Sequence, residues 1–268
     1  MSSRKASGLA KSVGFGLILP VAVILLWWCA TNFQWIVRLP YPQQVVETLW
    51  NWIFGTGSGP YDGTWFDAFL SSGARVLVGF LVAAVLGVVL GVLAGYFRVF
   101  GQMVDPLVQI LRPIPSTAWV PLTLVFFGFG FEGAVFLIAL GTFFPIFVNT
   151  IEGVRGVKAS LLRVGRMLGA RTDQLLVSFV LPSALPNIFT GLRLGVGLAW
   201  VLVVVAEMGN VRNGLGYTLH DAYSMGRYDV IIASMVSLGV LGFVTDRLVV
   251  LVQNMTLKWH REMSIHAE

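Results

Sequence analysis

The chain has 268 residues, of which 56% are hydrophobic and only 12% charged, and its mean hydropathy is +0.81. Soluble domains carry roughly 25% charged residues, so this composition excludes a water-soluble globular protein and points to an integral membrane protein. The formal charge of +5 calls for no nucleic-acid partner, since Lys and Arg gather on one side of the apolar stretches, and the single cysteine, Cys29, excludes an intramolecular disulfide.

A helix needs about 20 apolar residues to cross a hydrocarbon core of roughly 30 Å. The first such window, residues 12–37, follows Arg4, Lys5 and Lys11. It is longer than the apolar core of a signal peptide, and Trp27-Trp28-Cys29 is no small-residue cleavage site, so a retained helix is expected. Residues 38–70 mix Pro40, Pro42, Gly55, Gly57, Gly59 and Pro60 with Trp50, Trp52 and Trp65. That is the composition of an external segment lying on the membrane with its aromatic rings at headgroup level.

The second window, 76–97, repeats Gly79, Ala83, Gly87, Gly91 and Gly95 every four residues. In lipid, helices associate through close van der Waals contact, so this stripe predicts tight packing against another helix, of this subunit or of a second one. Asp105, Pro106, Arg112, Pro113, Pro115 and Pro121 then interrupt the helical pattern, with Ser116, Thr117 and Trp119 among them. Broken backbone at membrane depth is tolerated where it is buried in protein or lines a wet cavity, so the stretch is either pathway lining or a helix entry at the cytoplasmic interface. The windows 113–131 and 133–151 supply a third and a fourth crossing.

Residues 152–186 are polar between two apolar stretches and carry Arg155, Lys158, Arg163, Arg166 and Arg171. Leu161, Val164 and Leu168 fall at helical spacing on one face, and Leu175 and Phe179 follow on a second helix. Gly169-Ala170 lies between them, where glycine permits a sharp turn. A short helix–turn–helix at the membrane surface is predicted, with the character of a docking handle. The fifth crossing, 187–208, contains Arg193, the small residues Gly191, Gly195 and Ala199, and Glu207 near its outer end. Arg193 is either an interfacial anchor or an attractor of anions, and Glu207 either a pathway residue or a cap on the helix bundle. A short loop with Gly214-Leu215-Gly216 and a solvated His220-Asp221 pair leads to the sixth crossing, 228–252, which carries Asp246 and Arg247.

With the N-terminus inside, the cytoplasmic side receives Arg4, Lys5, Lys11, Arg98, Arg112, Arg155, Lys158, Arg163, Arg166, Arg171, Arg193, Arg247, Lys258 and Arg261; the outside receives Arg38, Arg75, Arg212 and Arg227. The positive-inside bias therefore puts both termini and the 152–186 loop in the cytoplasm. The expectation is an all-α protein of six transmembrane helices, forming a single membrane domain over 1–268. An energy source is missing from it: there is no G-x-x-x-x-G-K-[ST] phosphate loop, no H-E-x-x-H or G-x-S-x-G, and no metal-ligand spacing among His220, His260 and His266. An ion-driven secondary transporter, the alternative reading, wants acids deep in its helices, and Glu207 is the sole candidate.

The residues of the loop resemble the EAA motif, E-A-A-x-x-x-G-A-S followed by L-P, of permease subunits of bacterial ABC importers. Here the run reads Arg163-Val164-Gly165, three residues, Gly169-Ala170-Arg171, then Leu181-Pro182. Arg163 stands in place of the acid, and Arg171 in place of the serine, leaving Thr172 to cap the second short helix. The resemblance covers about residues 35–260. Arg112-Pro113-Ile114-Pro115-Ser116-Thr117-Ala118-Trp119-Val120-Pro121-Leu122 is similar to a run of the nitrate/sulfonate/taurine/bicarbonate branch. Phe127-Gly128-Phe129-Gly130, Phe144-Pro145, Thr190-Gly191-Leu192-Arg193, Ala199-Trp200, Ala206-Glu207 and Gly214-Leu215-Gly216 follow in the order of that branch.

The resemblance implies a type I ABC importer permease fold in the bacterial inner membrane. It implies a non-catalytic subunit that moves a small anionic solute by alternating access, as one of two permease copies surrounded by lipid. A cytoplasmic ABC ATPase dimer would use ATP and Mg, and an external or periplasmic solute-binding protein would deliver the solute; this chain would bind no cofactor or metal. Residues implied in ATPase docking are Leu161, Arg163, Val164, Arg166, Leu168, Gly169, Ala170, Arg171, Thr172 and Leu175. Candidates for the translocation pathway are Ser116, Thr117, Trp119, Trp200 and Glu207.

Overall fold

A computed structural model describes residues 18–35 and 38–257. The described residues form helices and no strands. In chain order these are α1 (Ile18–Asn32), α2 (Pro42–Phe54), α3 (Trp65–Tyr96) and α4 (Arg98–Leu111); a 3₁₀ turn at Ser116–Trp119 leads into α5 (Val120–Phe127), then α6 (Phe131–Arg155) and α7 (Ala159–Met167). There follow α8 (Thr172–Leu175), a π-helical turn at Leu176–Val180, α9 (Leu181–Asn210), α10 (Leu215–Ser224) and α11 (Tyr228–Thr256).

Four stretches are long and apolar enough to cross a membrane: Trp65–Tyr96, Phe131–Arg155, Thr172–Gly209 and Tyr228–Thr256. A fifth is broken, because α4 and the Ser116–Phe127 segment meet at 86°. The break falls on the prolines: Pro113 and Pro115 lack the N–H groups that would continue the ladder, so the chain leaves α4 after Leu111. α1 is shorter, and the window predicted for it, 12–37, runs past the described residues at both ends. Five of the six predicted crossings thus have a counterpart among the described residues, that at 113–131 as part of the broken stretch, and the first lies partly outside them.

The chain divides into two compact units. The first comprises the described residues of Met1–Phe66 together with Thr218–Met235. α2 starts on Pro42, and the Gln44 side chain accepts from the Tyr41 N–H at 3.0 Å. It buries Val45 and Trp52 and leaves Trp50 and Phe54 exposed, with their rings 4.3 Å apart. Trp52 Nε1 donates to Thr64 Oγ1 at 3.2 Å, and Tyr61 donates to Asp221 at 2.7 Å. His220 and Asp221 are therefore half-buried parts of α10 rather than the solvated loop pair expected. Asp229 accepts from Thr48 and pairs with Arg227 at 2.8 Å.

The second unit, the described residues of Asp67–Tyr217 and Val236–Glu268, is built around α6. The glycine stripe of α3 faces α6 of the same chain: a Cβ at Gly87 would lie 2.9 Å from Ile146 Cγ2, and one at Gly91 2.7 Å from Thr150 Cβ. That settles which helix the stripe packs on. Gly191 and Gly195 of α9 meet an adjoining face of α6 at Asn149 and Ile146. Polar side chains of α6 are satisfied within the helix, Thr142 donating to the Ile138 carbonyl and Thr150 to that of Ile146, each at 2.7 Å, as a low-dielectric surrounding requires. Arg193 and Asp246 neutralise one another in a bidentate pair of 3.0 and 3.3 Å between α9 and α11, which lets both spans carry a charge.

Candidate functional site

The loop at 152–186 folds into an elbow. α7 runs from Ala159 to Met167 and ends in a Schellman motif: the Ala170 N–H donates to the Gly165 carbonyl and the Gly169 N–H to that of Arg166, both at 3.0 Å. This closure demands a left-handed residue, and Gly169 has φ +81°. Among the described residues, no atom beyond its chain neighbours comes within 4 Å of a Cβ built there, so the elbow presents bare backbone outward. Arg171 is the N-cap of α8, and its N–H is bonded by the Gln174 side chain at 2.9 Å. The sequence expectation that Thr172 caps this helix is corrected: Thr172 is its first helical residue, and its carbonyl accepts from Tyr96.

The inner face of α7 is closed by glycine. A Cβ at Gly165 would lie 2.6 Å from Leu175 Cδ2 and 3.2 Å from the Phe179 ring, so both side chains seat directly on the α7 backbone. Leu175 is 4% exposed and is a core residue of the elbow, not the outward anchor that its spacing suggested. Outward apolar surface comes instead from Leu161, Val164, Leu168 and Met167, the last two 77% and 88% exposed. Met167 was missed because it lies off the i, i+3, i+7 ridge. A cavity of about 460 Å³ beside the N-terminal end of α7 is lined by Lys158, Ser160, Leu161, Val164 and Ser183. Arg163, Arg166 and Arg171 are all exposed.

No break separates the elbow from the membrane. α8, the π turn and α9 form one helical stretch from Thr172 to Gly209, where the sequence suggested a short helix and a separate crossing. The π turn accommodates the extra residue without interrupting the helix. One arm of the elbow is thus the N-terminal end of the helix that carries Trp200 and Glu207.

The five pathway candidates are not brought together. Glu207 is fully buried and its carboxylate is spoken for: Arg75 Nη1 lies 2.6 Å from Oε1, Ser72 Oγ 2.7 and 2.9 Å from the two oxygens, and the Gly216 N–H donates to Oε2 at 2.8 Å. Arg75 also donates to the Asn213 carbonyl, and Leu215 N–H to Ser72 Oγ. Gly214, at φ +133°, makes this fold possible, because the Glu207 carboxylate occupies the space of its missing Cβ. Of the two roles open to Glu207, the knot of α3, α9 and the start of α10 fits the cap. Arg75, read in the sequence only as an outside charge, was the missed partner; a basic residue on the positive-poor side facing a lone intramembrane acid was the available signal.

Trp200 is buried and donates to Thr245 Oγ1 at 2.9 Å, lining an apolar cavity of about 530 Å³ with Phe69, Val76, Phe80 and Leu248. Its surroundings are those of helix packing rather than of a polar route. Trp119 packs against the Ala134, Leu137 and Ala206 cluster. Ser116, half-buried, lies by Gly141 of α6, and Thr117 is exposed. Of the set, Ser116, Thr117 and Trp119 share the 3₁₀ turn at the broken crossing.

Residues 87–256 match the family described as binding-protein-dependent transport system inner membrane component. The chain is 37% identical over 246 residues to SsuC of Bacillus subtilis, named for aliphatic sulfonates transport, covering 91% of this chain and 87% of that one. It is 35% identical over 254 residues to the bicarbonate transport system permease protein CmpB of Synechococcus elongatus, covering 91% and 90%. In fold it is similar to a chain of the inward-facing MetNI methionine ABC transporter, with TM-score 0.63 and 21% identity over 75% of this chain and 99% of that one.

Proposed function

The chain belongs to the family of binding-protein-dependent transport system inner membrane components, the permease subunits of ABC importers, and from that premise we propose that it carries a small oxyanion of the sulfonate, taurine, nitrate or bicarbonate type into the cell. The relatives named for aliphatic sulfonates and bicarbonate support that solute class. A solute-binding protein delivers the anion outside, and two copies of the chain form the conduit. ATP and Mg are used by a cytoplasmic ATPase dimer and not by this subunit. Both termini and the elbow face the cytoplasm.

One observation carries the mechanism: the exposed elbow at Gly169 continues without a break into α9. When the ATPase subunits close, a partner gripping Met167, Leu168 and the bare Gly169 backbone pulls on α8, and the helix passes that displacement into the membrane. α9 lies along α6 with glycines at the contact, so it slides against a smooth surface rather than unpicking interlocked side chains. The Glu207–Arg75 knot holds the far end of α9 to α3, which turns a pull at one end into a tilt.

Single cysteines test the grip, in a background with Cys29 replaced by serine. In the complex with its ATPase, Leu168→Cys is expected to cross-link to the ATPase, more in one nucleotide state than in the other, and Leu175→Cys to remain unlinked because it is buried. A complex that forms while Leu168→Cys stays unlinked in every nucleotide state contradicts the proposed docking.

A further inference from the structure

The outward face of α7 is divided lengthwise. At about 100° per residue, Gly165 and Leu162 point inward, and the exposed arc runs from Arg166 through Arg163 and Met167 to Val164, Leu168 and Leu161. One flank of this arc is basic and the other apolar, with Met167 at the boundary. The ion pairs among the described residues leave Lys158, Arg163 and Arg166 without a carboxylate, whereas Arg155 is held by Asp105 at 3.0 Å and Arg171 by Asp173 at 3.5 Å. Arg163 and Arg166 thus edge, uncompensated, an apolar strip that no other described residue covers.

We infer that the ATPase surface receiving α7 is an apolar groove with one acidic wall, set on the side of Arg163 and Arg166, and that this charge match selects the ATPase with which the chain assembles. The inference rests on the docking proposed above and adds the chemistry of the partner. A neutral groove would bury the apolar strip equally well but would strip water from two guanidinium groups with no return, and a basic wall would repel them. A carboxylate wall meets them with charge-assisted, bidentate hydrogen bonds and fixes the direction in which α7 lies in the groove. Where the related motif has an acid, this chain has Arg163, so an ATPase fitted to that acid presents the wrong charge here.

The test uses the full chain in nanodiscs and its own purified ATPase subunit, with affinity measured at 50 mM and 500 mM NaCl. Arg163→Glu/Arg166→Glu is expected to weaken assembly at least tenfold at low salt, with Arg163→Gln/Arg166→Gln between it and the unaltered chain. The difference narrows at high salt, because screening shortens from about 10 Å at 0.1 M toward about 3 Å at 1 M. Reversing the facing acids of the ATPase to lysine is expected to restore binding of the Glu/Glu chain. Arg163, Arg166 and Leu168 are exposed, so thermal unfolding of the variants stays that of the unaltered chain. If Leu168→Asp abolishes assembly while Glu/Glu binds normally at both salt concentrations, docking stands and the acidic wall is refuted. If the unaltered chain binds the ATPase at neither concentration, the docking reading falls and takes this inference with it. If Glu/Glu alters only binding to phosphatidylglycerol vesicles, the cations serve the membrane surface and the inference is overturned.

Discussion

At the scale of single residues, burial rather than residue type decides what each side chain does. Glu207 and Arg75 are 0% and 7% exposed, and removing one partner of such a pair leaves the other charged and unsolvated, at a cost of about 3–5 kcal/mol. Glu207→Ala is therefore expected to lower thermal stability in detergent strongly, and the double variant with Arg75→Ala to lose less than the sum of the two single losses; strict additivity would show that the pair is not coupled. Leu175 and Leu168 make a second contrast. Leu175→Ala should cost about 2–5 kcal/mol of stability, while Leu168→Asp should leave stability within about 0.5 kcal/mol and remove ATPase association. Denaturation and co-purification on the same two variants check both halves. The sequence could not separate these leucines, because helical spacing marks an apolar face without saying which apolar residue a neighbouring glycine, here Gly165, draws inward.

At the scale of elements, periodicity and glycine placement were the readable signals. The four-residue glycine repeat of α3 marked a contact surface, and Gly169-Ala170 marked the elbow, because both follow from local geometry. The partner of the stripe, the run of α8 into α9, and the helical state of 215–224 were not legible, since they depend on contacts between residues far apart in the chain. Gly87→Leu places a side chain into Ile146 and Phe147 and is expected to separate α3 from α6, seen as loss of a monodisperse, folded protein on size exclusion. Gly169→Val has free space for its side chain but not the φ of +81°; the strain of about 1–2 kcal/mol is local. We expect that variant to fold with its hold on the ATPase loosened, so that solute import falls far more than ATP hydrolysis, read by measuring both rates in one preparation.

At the scale of the whole molecule, the chain has the anatomy of a driven part. Among the described residues both acids deep in the spans are paired, Glu207 with Arg75 and Asp246 with Arg193, which leaves little for an ion gradient to act on. Its exposed apolar residues on α3 and α11 suit a membrane interior. Composition alone announced a membrane protein, and the order of short motifs its family, whereas no motif of the sequence names the solute. The most direct measurement is uptake of a labelled sulfonate or bicarbonate by proteoliposomes rebuilt with this chain, its ATPase and its solute-binding protein. Uptake is expected only with ATP and Mg on the ATPase side, and to vanish in Leu168→Asp. Equal uptake without ATP, driven by a membrane potential or ion gradient and unchanged in Leu168→Asp, would contradict the account.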